Sequence, residues 1–197
     1  MATVYAIGET VFDIIFLEDK PAQAVPGGSM LNAAVSLGRW GTEVEFISEY
    51  GKDKVGRLID SFLRKNRVSH NYSLTYETGG TSIALAFLDK NKKASYSFYH
   101  DRPERVPEPI IPSFTTTDIC LFGSFYAIKP ERSGLVYSLV GAASKAGSTI
   151  IYDPNIRRAH LAELPALFMT IEKNFSSASI MKGSEEDFQL QYDLTES

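Results

Sequence analysis

The chain has 197 residues, 44% of them hydrophobic, and a formal net charge of −4 at pH 7. That length fits one domain with a small appendage, and the negative balance gives no general attraction to nucleic acid or an anionic membrane. No apolar run is long enough to span a bilayer and no secretory leader is evident at Met1, while the single cysteine, Cys120, excludes an internal disulfide and a cysteine metal cluster.

Strands and helices alternate along the chain. Residues 4–8 are apolar and end at Gly8, as a buried strand does, and Gly8-Glu9-Thr10-Val11-Phe12-Asp13 carries the chain on to a carboxylate. Gly27-Gly28-Ser29-Met30-Leu31-Asn32-Ala33-Ala34 then opens a predicted helix over 29–40. Leu31, Ala34, Val35 and Gly38 fall on one helical face, and Trp40 is expected to pack at the helix end. Residues 44–48 read as the next strand. Val55, Leu58, Ile59, Phe62 and Leu63 form a helical stripe that ends near Asn66. Residues 118–122 are a strand around Cys120, which is expected to be a buried structural thiol. Leu135, Leu139, Ala142 and Ala146 mark a helix that Gly147 can stop. Residues 149–152 are a strand running into Asp153. A helix marked by Leu164, Leu167, Phe168, Ile171 and Phe175 precedes a final short strand over 178–181. Such alternation implies a doubly wound parallel sheet with helices on both faces. Ligands then bind beyond the carboxyl ends of the strands, where Asp13, Asp153 and Lys182 are expected to gather.

One region breaks the alternation. Residues 72–76, 81–88 and 94–99 are β-rich, with the charged turn Asp89-Lys90-Asn91-Lys92-Lys93 between the last two. Tyr96, Phe98 and His100 alternate with Ser95, Ser97 and Tyr99, the pattern of a half-exposed strand. With residues 12–17 these segments are expected to form a small sheet apart from the main one.

Two adjacent glycines let backbone approach a ligand closely. The helix start behind them presents unpaired N–H groups to oxygen-rich or anionic groups. Asp13, Gly27, Gly28 and Asn32 together suit the hydroxyls of a polyol, although an ordinary strand–loop–helix turn also uses Gly-Gly. Arg102 either holds a substrate oxygen or pairs with a surface carboxylate. His100 and His160 have no metal-site spacing. Asp153 and Asn155 either face a phosphate group or only shape their turn, and Glu185-Glu186-Asp187 also reads as a solvated acidic face.

The Gly-Gly-Ser-x-x-Asn-x-Ala segment resembles the first signature of the ribokinase-like (PfkB-type) carbohydrate kinases. The resemblance continues in order through Gly8-Glu9 with Asp13 and through Ile47-Ser48-Glu49-Tyr50-Gly51-Lys52-Asp53 with Gly56. It extends through Phe122-Gly123-Ser124 and Asp153-Pro154-Asn155-Ile156-Arg157 of the fructokinase branch, and through Lys182-Gly183-Ser184-Glu185-Glu186-Asp187. It covers about residues 4 to 187. It implies a ribokinase-like doubly wound α/β fold, here an N-terminal portion over 1–197, with a discontinuous β lid from about 12–25 and 72–100. Sugar contacts are implied for Asp13, Gly27, Gly28, Asn32, Phe98, His100 and Arg102. The nucleotide phosphates are implied near Asp153, Asn155, Lys182 and Ser184, and an indirect magnesium role near Asp187, where a shorter Asp replaces the usual Glu. The family's Gly-Ala-Gly-Asp run, which supplies the catalytic base, does not occur in these residues. The resemblance therefore places the base beyond Ser197 and assigns no catalytic residue within the chain. It implies an ATP- and Mg2+-dependent, cytoplasmic sugar kinase whose residues 1–197 are inactive alone and can form a homodimer through the lid. The alternative is a non-catalytic sugar-binding or dimerising module.

Overall fold

A computed structural model of the chain describes residues 2–90, 94–156, 164–185 and 187–189. In chain order its strands are β1 (Val4–Ile7), β2 (Val11–Leu17), β3 (Lys20–Gly27), β4 (Val44–Ile47), β5 (Glu49–Gly51), β6 (Leu74–Tyr76), β7 (Gly80–Leu88), β8 (Ala94–Asp101), β9 (Ile119–Gly123), β10 (Thr149–Asp153) and β11 (Ile180–Met181). Its α-helices are α1 (Ser29–Trp40), α2 (Lys54–Lys65), α3 (Pro130–Lys145) and α4 (Leu164–Ser177).

Five strands form a parallel sheet in the order β11-β10-β9-β1-β4. Strict alternation along β1 sends Val4 and Ala6 to one side and Tyr5 and Ile7 to the other. The first pair packs with Met30, Leu31, Ala34 and Val35 of α1 and with Ile59 and Leu63 of α2. The second packs with Val136, Leu139, Val140 and Ala143 of α3. Helices therefore cover both faces, as the alternation implied. Cys120 lies in the second core layer, fully buried and unpaired. No described helix is long and apolar enough to cross a membrane.

The second sheet has four strands in the order β3-β2-β7-β8. Residues 72–76, expected to join it, do not. Their strand β6 pairs in parallel with β5 at the base of the small sheet. β-propensity marks an extended segment without naming its partner, and β5 lies closer in space. Tyr96 and Phe98 on one face of β8 and Tyr99 on the other are all exposed, so both of its faces are open rather than one.

Three smaller expectations are also corrected. Trp40 is 89% exposed and packs on nothing, because the apolar stripe of α1 ends at Gly38 and points elsewhere. Leu58 is likewise exposed, off the face that carries Gly56, Ile59 and Leu63. The last strand is only two residues long. Residues 91–93, Arg157, His160, Glu186 and Ser197 lie outside the described residues. The expectation of a catalytic base beyond Ser197 therefore falls outside them as well.

Candidate functional site

The site is built where β1 leaves the parallel sheet and β2 enters the small one. Val11 of β2 pairs with Gly27 of β3, so the strand that carries Asp13 lies beside the double glycine. A Cβ at Gly27 would overlap Asp13 Oδ2, so the carboxylate rests directly on the bare backbone of that glycine. Gly28 is the residue before α1, at φ 125°, a conformation that a side chain resists. A Cβ there would also overlap the carbonyl oxygen of Glu9. Close backbone approach thus requires both glycines. Asn32 stands exposed one turn into α1; its backbone N–H donates to Gly28 O at 2.9 Å.

Register brings the small sheet's aromatic face to this point. Asp13 pairs with Ala84, and Ala84 with Phe98, so the three side chains share one face. Two strand spacings separate Asp13 from Phe98, about 10 Å. Tyr96, Phe98 and His100 form a ladder of near-parallel rings, with centroids 5.7 and 6.0 Å apart. Ser82 Oγ holds His100 Nδ1 at 2.9 Å. Desolvation and the nearby Lys129 cation hold the His100 pKa below 6.5, with Glu9 opposing them.

Two residues here were not singled out in the sequence. Lys129 Nζ lies 3.2 Å from Glu9 Oε1 and 5.5 Å from the centre of the Phe125 ring. Glu9 was quoted only as part of a motif, and Lys129, just ahead of a helix, reads as solvated. The signal that joins them is spatial: both follow the ends of neighbouring parallel strands, β1 and β9.

A second group lies on the same sheet edge. Asp153, buried at the end of β10, receives Lys182 Nζ at 2.6 Å from the end of β11. Asn155 follows at φ 42°, which turns the chain sharply. Because β9 and β10 are in register through Asp153 and Gly123, this group sits two strands from β1, again about 10 Å. The expectation that Asp13, Asp153 and Lys182 share the carboxyl edge matches this placement of Asp153 and Lys182, while Asp13 lies on β2, in the small sheet.

Two residues are committed elsewhere. Arg102 Nε donates to Glu49 Oε1 at 2.8 Å, so its partner is a buried carboxylate rather than a surface one. It also lines a cavity of about 380 Å³ bounded by Val106, Pro109, Arg132 and Leu135. Asp187 is buried. Its Oδ1 accepts from Ile156 N at 2.6 Å, and its Oδ2 accepts from Ser184 N and Oγ at 2.7 Å each. One oxygen thus braces the loop after β10 and the other the turn after β11, so neither is left free as a direct metal ligand. Among the described residues no three His, Cys, Asp or Glu side chains gather as a metal site.

Comparison with known proteins gives the family and the fold. A fructokinase of Klebsiella pneumoniae is 26% identical over 188 residues, covering 93% of this chain and 61% of that protein. The chain therefore spans less than two thirds of that relative's length. The apo crystal structure of fructokinase from Vibrio cholerae O395 superimposes with a TM-score of 0.81 at 24% identity, over 97% of this chain and 66% of that one. The same enzyme with fructose, ADP and calcium ion bound gives 0.79 at 24% identity, over 100% of this chain and 64% of that one. At that identity the likeness establishes the fold. The model of the pfkB family carbohydrate kinases matches residues 1–194, and the chain belongs to that family.

Proposed function

We propose that residues 1–197 form the sugar-holding part of an ATP-dependent, fructokinase-type sugar kinase, which moves the γ-phosphoryl group of Mg-ATP to a sugar hydroxyl. The observation that carries this reading is the Asp13 carboxylate lying on bare Gly27 backbone, on the same sheet face as Phe98. A carboxylate, the exposed Asn32 side-chain amide and an apolar ring shelf together suit a polyol with a hydrophobic C–H face. The fructose and ADP bound by the Vibrio cholerae relative, a sugar and the nucleotide that ATP leaves after transfer, support this reading.

In this reading Asp13 and Asn32 bind sugar hydroxyls and the Gly27–Gly28 backbone lies against the sugar. The small sheet acts as a lid, with Phe98 and His100 closing from above. Closure excludes water, which favours transfer over hydrolysis. Asp153, Asn155, Lys182 and Ser184 face the phosphate end, with Lys182 offering positive charge. Mg2+ would come with the nucleotide, and Asp187 would act on it only indirectly, by holding Ile156 and Ser184 in place. Phosphoryl transfer is mostly positioning and charge stabilisation. A general base is worth about 10²–10⁴ in rate, and no Gly-Ala-Gly-Asp run occurs in these residues to supply one. In a longer protein, a segment following Ser197 would supply it. Residues 1–197 by themselves are expected to bind sugar without phosphorylating it. A cytoplasmic location belongs to the same proposal.

A second reading, a sugar-binding module that dimerises through the lid, draws support from Leu17 and Tyr99. These are 48% and 59% exposed on the small sheet. Calorimetry with fructose, run beside an ATP-coupled phosphorylation assay, tests the sugar site that the two readings share. Binding that disappears in Asp13→Ala, with no turnover, is expected. Turnover by residues 1–197, or fructose binding unchanged in Asp13→Ala, overturns the assignment.

A further inference from the structure

The segment Glu49-Tyr50-Gly51-Lys52-Asp53 belongs to a motif that the substrate site does not use. It holds two of the four connections of the small sheet, those on either side of β7–β8; the others run from β1 to β2 and from β3 to α1. The incoming strand β7 is gripped at Thr81, whose N–H donates to Asp53 Oδ2 at 2.8 Å and whose hydroxyl donates to Asp53 Oδ1 at 2.9 Å. Gly51 N–H donates to the same hydroxyl at 3.1 Å. Asp53 is anchored in turn, because it caps α2 through Gly56 N at 2.7 Å. The outgoing connection is gripped at Arg102, directly after β8, by Glu49 Oε1 at 2.8 Å. Arg132 of α3 pairs with the same oxygen. Glu49, Thr81 and Arg132 are buried and Arg102 is half-buried. These pairs are therefore shielded from the solvent screening that makes surface ion pairs weak.

We propose that Glu49 and Asp53 form a two-point clamp that fixes the angle of the small sheet, and so are positioning residues for Phe98 and His100. The reason lies in the covalent layout. Phe98 is four residues from Arg102 along one strand, and Asp13 pairs with Ala84, three residues beyond Thr81. With residues 8–10 and Gly28 as the other two pivots, a rotation at residues 81 and 102 moves Phe98 relative to α1 without disturbing the ladder of the small sheet itself. One carboxylate of the clamp is bound chiefly by N–H and O–H donors, the other by two guanidinium cations. The outgoing leg is therefore a charge cluster on the single oxygen Oε1, whereas the incoming leg divides its bonds between both oxygens of Asp53.

The purpose of the clamp rests on the sugar-kinase reading, but its geometry does not, so the test reads the sheet angle without sugar. Nitroxide labels at Ser36→Cys on α1 and Ser95→Cys on β8 sit at exposed positions, and fully buried Cys120 stays unlabelled. Pulsed electron paramagnetic resonance on the 197-residue chain is expected to give one narrow distance distribution. Glu49→Gln and Asp53→Asn should each broaden or shift it, with thermal unfolding still cooperative. Arg102→Gln, at a half-buried site, decides the outgoing leg if Glu49→Gln fails to fold. Arg102→Lys, which keeps the charge, should restore part of the narrow population. Distributions identical to the parent in the folded variants would overturn the clamp. Fructose calorimetry on the same variants separates the readings: weaker binding with a broadened angle links clamp to site. A broadened angle in a chain that never bound fructose leaves the clamp standing and removes the sugar reading.

Discussion

The Asp13 carboxylate occupies the space that a side chain at Gly27 would need. Gly27→Ala must therefore displace it while leaving the acid chemically intact. A hydrogen bond to a charged group is worth about 1.5–3 kcal/mol, so losing one should weaken fructose binding about 10- to 100-fold. Calorimetry on Gly27→Ala beside Asp13→Ala measures this. Similar losses in both are expected, and parent-like affinity in a folded Gly27→Ala would remove Asp13 from the site.

Asn32 offers the complementary case, because its side chain is exposed on α1. Asn32→Ala should leave the melting temperature unchanged or slightly raised, since alanine favours helix by a few tenths of a kcal/mol or more. A neutral hydrogen bond contributes about 0.5–1.5 kcal/mol, so affinity should fall about 2- to 12-fold. A lowered melting temperature with intact affinity would show that Asn32 serves the helix instead.

The arrangement of Asp13, Gly27 and Gly28 was legible because its signal is local. A strand running to Asp13, a double glycine and a helix stripe at i, i+3, i+4 and i+7 all lie within residues 4–38. The clamp was not legible, because Glu49, Thr81, Arg102 and Arg132 meet only after β5 pairs with β6 and α3 packs beside them. A charged residue in the first turn of a helix, as Arg132 is, normally reads as solvated. For Asp187 the resemblance implied an indirect magnesium role; that its two oxygens close on Ile156 and Ser184 was invisible without coordinates. Trp40 shows the opposite failure. Its size suggested packing, but the phase of the α1 stripe already pointed away from it.

Cys120 is fully buried, and burial pushes its thiol up to about 12. The reactive thiolate is then essentially absent at pH 8. Ellman's reagent should report no reactive thiol in the native chain and one after unfolding. Rapid native reaction at pH 8 would contradict the packing of the second core layer.

Acid stability follows from two carboxylates. Burial alone would raise the Asp53 pKa, but hydrogen bonds from Thr81, Gly56 and Val55 outweigh it and hold it below 3.8. Asp118 is held low in the same way by Thr3 and Thr115. The unfolded chain therefore binds more protons than the folded one in this range, so these groups stabilise fully above 3.8 and lose their contribution as pH falls through the lower folded values. Denaturant melts from pH 6 to pH 2 should show stability falling at the acid end, less steeply in Asp118→Asn. An unchanged slope in that variant would remove Asp118 from the account.

The location of the sugar is the central claim, and a fructose titration of the 15N-labelled chain followed by two-dimensional NMR tests it most directly. Shifts should concentrate at Asp13, Gly27, Gly28, Asn32, Phe98 and His100. Shifts confined to the cavity lined by Val106, Pro109 and Leu135, or no shifts at millimolar sugar, would contradict it.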